Sequence, residues 1–398
     1  MTELLKIGAA FALIVFLLRL RWNLGLVMLL GSVFLGSLSL LGPVRQAGII
    51  IAAGIDPVTI NLVTGLVLIM VLENIIRKRG VLKCMMEAVV NVAGDRRVAM
   101  AVLPGVIGLL PSAGGAAFSA PMVQEAAADA DMRPERKAFV NYWFRHIWEY
   151  ISPLYPGIVL AAAVTKTPIN KLLHSQLPLP IAVVVVGALL GFRGTAVGTI
   201  EGKRDRNEFK ALFASLLPIT IPIVLVVVFK LPLAIAMASI VIAMLLFYRY
   251  TFSELWTTLQ ESVSLNVMLM VIGIMVFKGM LDASGAIEVL PALFKQSGLP
   301  TGVVLFALPF IVGLLTGLTV GFVGATFPIM TAMMGGHPDP ATVTFSFASG
   351  FAGVMLSPTH LCLLLTIRYF KADIAGTYRL MYVPVLLVFL VGLARLWF

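Results

Sequence analysis

The sequence predicts an all-α polytopic membrane protein, an inverted repeat of two halves with five transmembrane helices and one re-entrant helical hairpin each. Three observations lead there. The 398-residue chain is 60% hydrophobic and 12% charged, with a mean hydropathy of +1.02, which leaves too little polar surface to cover a soluble domain of that size. Apolar runs of spanning length recur along it. Several of the glycines and prolines, and one asparagine, that punctuate the first half reappear 205 residues later.

A span needs about 20 apolar residues. The first half offers 4–22, 23–43, 57–77, 138–166 and 177–193, with 98–130 as two apolar arms around LLPSAGGAAFSAP. The second half offers 209–229, 231–248, 262–281, 343–370 and 380–397, with arms again at 302–334. That makes about ten spans and two hairpins. The domains are 1–193 for the first repeat, 194–208 for a polar linker and 209–398 for the second repeat. The apolar N-terminus lacks a small-residue cleavage site and is read as a retained helix.

Under the shift of 205, Asn61 meets Asn266, Gly80 meets Gly285, Pro104 meets Pro309 and Gly187 meets Gly392. Gly108-Leu109-Leu110 meets Gly313-Leu314-Leu315, and Ser152-Pro153 meets Ser357-Pro358. The hairpin tips need a shift of 207, which pairs Ser112 with Thr319, Gly114 with Gly321, Ser119 with Thr326 and Pro121 with Pro328. An odd number of spans per half turns the second half upside down.

Charge sets the sidedness. With the N-terminus outside, twenty of the 29 Lys and Arg residues fall on the inner side and eight on the outer, leaving Arg145 within a span. The linker 194–208 is then cytoplasmic, both termini lie outside, and the protein belongs in the cell (inner) membrane. The net charge of +10 is loop charge of this kind, not a nucleic-acid footprint. Cys84 and Cys362 show no metal spacing and read as plain thiols.

Broken backbone at membrane depth is tolerated only where protein or a watery cavity surrounds it. An arm of about 13 residues reaches roughly 20 Å at the helical rise, short of a core of about 30 Å, so each hairpin tip sits near the midplane. At the first tip Ser112, Gly114 and Gly115 leave backbone groups free, and the arm that follows presents a helix N-terminus suited to an anion. Ser119, Thr319, Gly321, Gly324 and Thr326 complete the two tips. The structural alternative is a glycine-lined helix crossing.

Ser152-Pro153 and Ser357-Pro358 break two long spans, and a freed carbonyl with a neighbouring hydroxyl, Thr359 included, coordinates cations. The alternative is an ordinary proline kink. Charge at depth is expensive, which singles out Arg145, His146, Glu149 and His360 for coupling or for substrate charge. Here the alternative is an internal Arg145–Glu149 pair at i,i+4 spacing. Glu73 and Lys278 read as snorkelling residues, and Asn61 and Asn266 as glue between helices. The sequence carries no Walker loop, HExxH motif or GxSxG elbow, so no enzyme is expected.

The order of three spans, a hairpin, a broken span and a fifth span, repeated upside down, resembles the ion transporter superfamily, which includes divalent anion:sodium symporters, citrate transporters and gluconate permeases. LLPSAGGAAFSAP with ISPLYPG, and GLTVGFVGATFP with LSPTHL, carry the resemblance. It is closest to a small uncharacterised integral membrane family within that superfamily. The resemblance implies a homodimer, an elevator-type motion and Na+ at the hairpin tips, with no other cofactor. It departs from the dicarboxylate branch in having Ser-Ala-Gly and Thr-Val-Gly where that branch has Ser-Asn-Thr. The expected function is secondary transport of a small, organic anion coupled to Na+ or H+. The alternative is a channel-like or sensory membrane protein with a static, hairpin-lined pore.

Overall fold

The computed structural model describes residues 2–111, 115–128, 130–195, 198, 206–285, 288, 290–292, 298 and 300–397. Among them the chain is helical throughout, in twenty α-helices and one short 3₁₀ turn. Ser112 and Gly114 of the first hairpin tip lie outside the described residues, as does most of the linker.

The helices are α1 (Thr2–Arg19), α2 (Leu24–Leu38), α3 (Pro43–Ile55), α4 (Pro57–Lys78), α5 (Val81–Ala93), α6 (Arg96–Ile107) and α7 (Gly115–Ala126). Then come α8 (Pro134–Arg145), the 3₁₀ turn Ile147–Tyr150, α9 (Pro156–Val164), α10 (Ile169–Gln176) and α11 (Pro178–Gly191). After the linker follow α12 (Arg206–Val227), α13 (Leu233–Phe247), α14 (Phe252–Ser262) and α15 (Leu265–Ala283). The chain ends with α16 (Thr301–Thr316), α17 (Thr319–Met333), α18 (Pro340–Met355), α19 (Leu361–Phe370) and α20 (Ile374–Ala394).

Local chemistry sets many of these ends. Asn23, Asp56, Asp95, Asp339 and Asp373 cap α2, α4, α6, α18 and α20 through side-chain oxygens that accept from first-turn amides. Thr251 and Glu254 close a reciprocal capping box on α14. Proline opens α3, α4, α8, α9, α11 and α18.

The element list departs from the sequence expectation in its short helices. The apolar scan missed α3, α5, α10 and α14, because each is too short or too amphipathic to register as a span. The scan's 23–43 is a 15-residue helix, and its 380–397 begins earlier, at Ile374. Among the described residues, five helical stretches are long and apolar enough to cross a bilayer: Pro57–Lys78, Ile169–Gly191, Arg206–Val227, Leu265–Ala283 and Ile374–Ala394. This is a multi-pass membrane protein.

Close crossings hold the bundle together. α2 lies on α15, where a Cβ at Gly25 would strike the Leu269 backbone and one at Gly273 would strike the Gly25 carbonyl. The Asn23 amide donates to Asn266 Oδ1 at 2.9 Å across the same crossing. α4 lies on α13, where Gly65 faces Leu233 and Asn61 Oδ1 accepts from the Ala234 amide at 3.1 Å. α6 meets α8 where Gly108 touches the Arg145 carbonyl. α16 meets α18 where Gly313 touches the Gly350 carbonyl and Gly353 touches the Phe310 carbonyl.

Burial sorts the helices into two sets. From Gly321 to Met333 on α17 and from Val343 to Met355 on α18, every residue is buried. α8 is enclosed from Ala138 to Arg145, and α9 through most of its length. By contrast α11, α12, α13 and α20 expose Ile181, Leu189, Phe213, Val224, Ile235, Ile242, Val383 and Leu386, the apolar outer faces that suit lipid. Of the broken helices, α8, α9 and α18 therefore run through the middle of the protein, while α19 leaves Leu361, Leu364 and Tyr369 exposed on one face.

Candidate functional site

α8 stops at Arg145, and the chain does not resume an α-helix until Pro156. α18 stops at Met355, and α19 starts at Leu361. Each interruption is an ST turn: the Leu154 amide donates to Ser152 Oγ at 3.3 Å, and the Thr359 amide to Ser357 Oγ at 3.2 Å. These positions are 205 residues apart.

Each break is tied to the hairpin arm beside it. The Tyr155 hydroxyl donates to the Gly108 carbonyl, and Trp148 Nε1 donates to the Gly105 carbonyl at 2.7 Å. The Ser357 hydroxyl donates to the Leu314 carbonyl at 2.7 Å, and Thr359 Oγ1 to the Leu315 carbonyl at 3.3 Å. Gly317 connects α16 to α17 at φ 64°, where a Cβ would press on the His360 amide 2.8 Å away. Glycine meets both the backbone and the space requirement there.

The charged side chains converge between the breaks. Thr319 Oγ1, at the first residue of α17, donates to Glu149 Oε2 at 2.6 Å. A carboxylate at that end of a helix is favoured by its unpaired amides. Glu149 Oε1 lies 3.7 Å from His146 Nε2. The His146 and His360 Nε2 atoms face each other at 3.2 Å, and Tyr142 stacks edge-on against both rings. Arg145, 3% exposed, engages the Tyr155 and Cys362 side chains.

The proton positions on the histidines follow from their partners. His146 Nδ1 lies 2.6 Å from the Tyr142 carbonyl, which can only accept, so Nδ1 carries the hydrogen. His146 Nε2 then offers a lone pair, and His360 supplies the proton of the Nε2 contact.

The structure brings Arg145, His146, Glu149, Thr319 and His360 into one cluster, with Ser152, Pro153, Ser357, Pro358 and Thr359 forming the flanking turns. Other candidates sit elsewhere. Ser119 and Thr326 lie inside helices, where each hydroxyl donates to its own helix, to Ala116 and Phe322 carbonyls. Gly115 opens α7; Gly321 packs on Thr316, and Gly324 lets α17 approach Ile274 of α15. Lys278 reaches inward, donating to the Ala163 carbonyl at 3.2 Å and lining an open cleft of about 770 Å³ with Asp56, Lys166 and Asp282.

Several site residues escaped the sequence reading: Tyr142, Tyr155, Asn141 and Cys362. Asn141 Nδ2 donates to the Ala116 carbonyl and to Thr366 Oγ1, joining α8 to α7 and α19. Tyr155 had a signal, since it aligns with His360 under the shift of 205.

The fold has a solved likeness. The Alcanivorax borkumensis YdaH transporter, whose crystal structure is described as having an unusual topology, superimposes with a TM-score of 0.60 at 13% identity. The match covers 88% of this chain and 86% of that one. No curated protein matches the sequence. One family matches over residues 4–397, described as protein of unknown function (DUF401), and the chain belongs to that family.

Proposed function

We propose that the protein is a secondary active transporter of a small anion, built as an inverted repeat on the plan of the ion transporter superfamily. The observation that carries the proposal is the buried convergence of Arg145, His146, Glu149, His360 and Thr319 between two interrupted helices. Ionisable groups that deep, away from lipid, are costly to keep unless they serve a pathway. Arg145 supplies the positive charge for a carboxylate or similar anion. Glu149 and the two histidines are placed to carry a coupling proton; Na+ at the hairpin tips is the rival coupling ion.

Paired contacts support the repeat. Gly108 on Arg145 and Gly313 on Gly350 are the same crossing 205 residues apart, as are the two ST turns. α2 on α15 and α13 on α4 form a second such pair. Charges assigned to one side of the membrane also meet one another. Lys78 and Arg79 pair with Glu261 and Glu254 at 2.6 and 2.9 Å, and Glu135 Oε1 accepts from the Asp373 amide at 3.2 Å. On the opposite side Lys166 and Lys278 share the cleft with Asp56 and Asp282. On this reading the linker is cytoplasmic, the termini are outside, and a homodimer moves the site by an elevator motion.

Reconstituted vesicles test the reading with carboxylates, sulfate and sugar acids as probes. Uptake should saturate, follow an imposed proton gradient, and fall in Glu149→Gln. Uptake that stays linear with concentration and ignores both proton and sodium gradients sinks the transporter and leaves a pore. Saturable uptake that requires sodium and survives Glu149→Gln with both histidines replaced removes the proton and leaves the transporter.

A further inference from the structure

Outside the anion reading, the same region holds a set of groups with a different chemistry. One ring nitrogen from His146, one from His360 and the sulfur of Cys362 all lie within 4.8 Å of one another, and all three residues are buried. They come from the end of α8, the loop before α19 and the first turn of α19. We propose that these three side chains form a binding site for a soft monovalent cation, copper(I) or silver(I).

The two histidine nitrogens already stand at the spacing of a shared ion. Two imidazole nitrogens bound to one ion at about 2.0 Å stand roughly 3.3–3.5 Å apart, and the two Nε2 atoms here are 3.2 Å apart. His146 is already in the required tautomer, its Nδ1 hydrogen held by the Tyr142 carbonyl and its Nε2 lone pair aimed at the cluster. His360 Nδ1 is buried with no hydrogen-bond partner. When the ion takes the place of the proton between the rings, His360 binds through Nε2 and carries its hydrogen on that unpartnered Nδ1. One proton is released, from the Cys362 thiol, and no electron is transferred.

Softness and charge select the ion. Imidazole with thiolate suits copper(I) and zinc, whereas oxygen-seeking cations want carboxylates and carbonyls. Arg145 stands beside the Cys362 sulfur, and Glu149 stands beside His146. A monovalent ion with one thiolate is neutral, and Glu149 offsets Arg145. A divalent ion leaves one uncompensated positive charge in a dry site, where it is costly.

The test uses the full-length protein in detergent, in a Cys84→Ser background so that Cys362 is the single thiol. It needs no gradient and no substrate, so its failure leaves the transport reading untouched. Titration with copper(I) against a chromophoric chelator should show one equivalent bound. Cys362→Ser and His360→Asn should each weaken that binding by at least about 100-fold while keeping the wild-type elution profile. X-ray absorption of the loaded protein with its native ligands, which needs no site variant, should show two nitrogens at about 2.0 Å and one sulfur near 2.3 Å. Unchanged binding in Cys362→Ser, or a spectrum without sulfur, overturns the site. Zinc bound as tightly as copper(I) overturns the charge argument that selects a monovalent ion.

Discussion

At the first break the chain carries Arg145, His146 and Glu149; at the corresponding positions of the second it carries Gly350, Phe351 and Val354. The two sets face each other. The His146 and Phe351 rings are 6.3 Å apart, and Tyr150 packs edge-on to Phe351 at 4.6 Å. A Cβ at Gly350 would run into the Phe322 ring. The space that Arg145 fills on one side is closed on the other, so the centre of the protein has room for one set of charges. The backbone turns and glycine crossings are duplicated; the chemistry is single.

Four sets of substitutions break or sharpen that comparison. The largest effect should come from the unshared charge. Arg145→Gln removes a buried cationic partner worth roughly 2–5 kcal/mol, so substrate uptake should fall about 30-fold or more, measured as initial rate in vesicles. Val354→Leu, at the second break, should leave the rate within about threefold; equal losses would mean that the asymmetry is incidental.

Next is the link between the halves. Thr319→Val strips Glu149 of its 2.6 Å donor and should cost about 1.5–3 kcal/mol in transport, while Thr319→Ser should retain most of the rate. A valine variant as active as serine would show that the hydroxyl does nothing there.

The duplicated crossings should respond alike. Gly108→Ala and Gly313→Ala each push a methyl into a carbonyl of the facing helix and should each destabilise by about 1–3 kcal/mol, read as a lowered Tm. Tolerance at one and collapse at the other would contradict equivalent packing. The smallest effect is in the ST turns: Ser152→Ala and Ser357→Ala should each cost about 0.5–1.5 kcal/mol of stability. A much larger loss of uptake than of Tm at either serine would place that hydroxyl on the ligand.

How far the sequence speaks depends on range. The helical membrane character was legible because composition and 20-residue apolar runs are local properties. The short helices α3, α5, α10 and α14 were not, since their identity depends on the neighbours that cover one face. Asn61 and Asn266, read as glue, do bond between helices. Ser119 and Thr326 looked like ligand groups, yet a hydroxyl inside a helix readily finds a carbonyl of the preceding turn.

Charge at depth was visible residue by residue, because an Arg or Glu in an apolar run stands out by its cost alone. What no local pattern contained was the pairing across 214 residues that sets His360 against His146, and with it the place of Cys362, which alone reads as an inert thiol. The sequence by itself determined the class of fold and the list of expensive side chains. Only the tertiary structure decided which of them share one site, because hydrogen bonds act over about 3 Å and the chain brings their partners together from opposite ends.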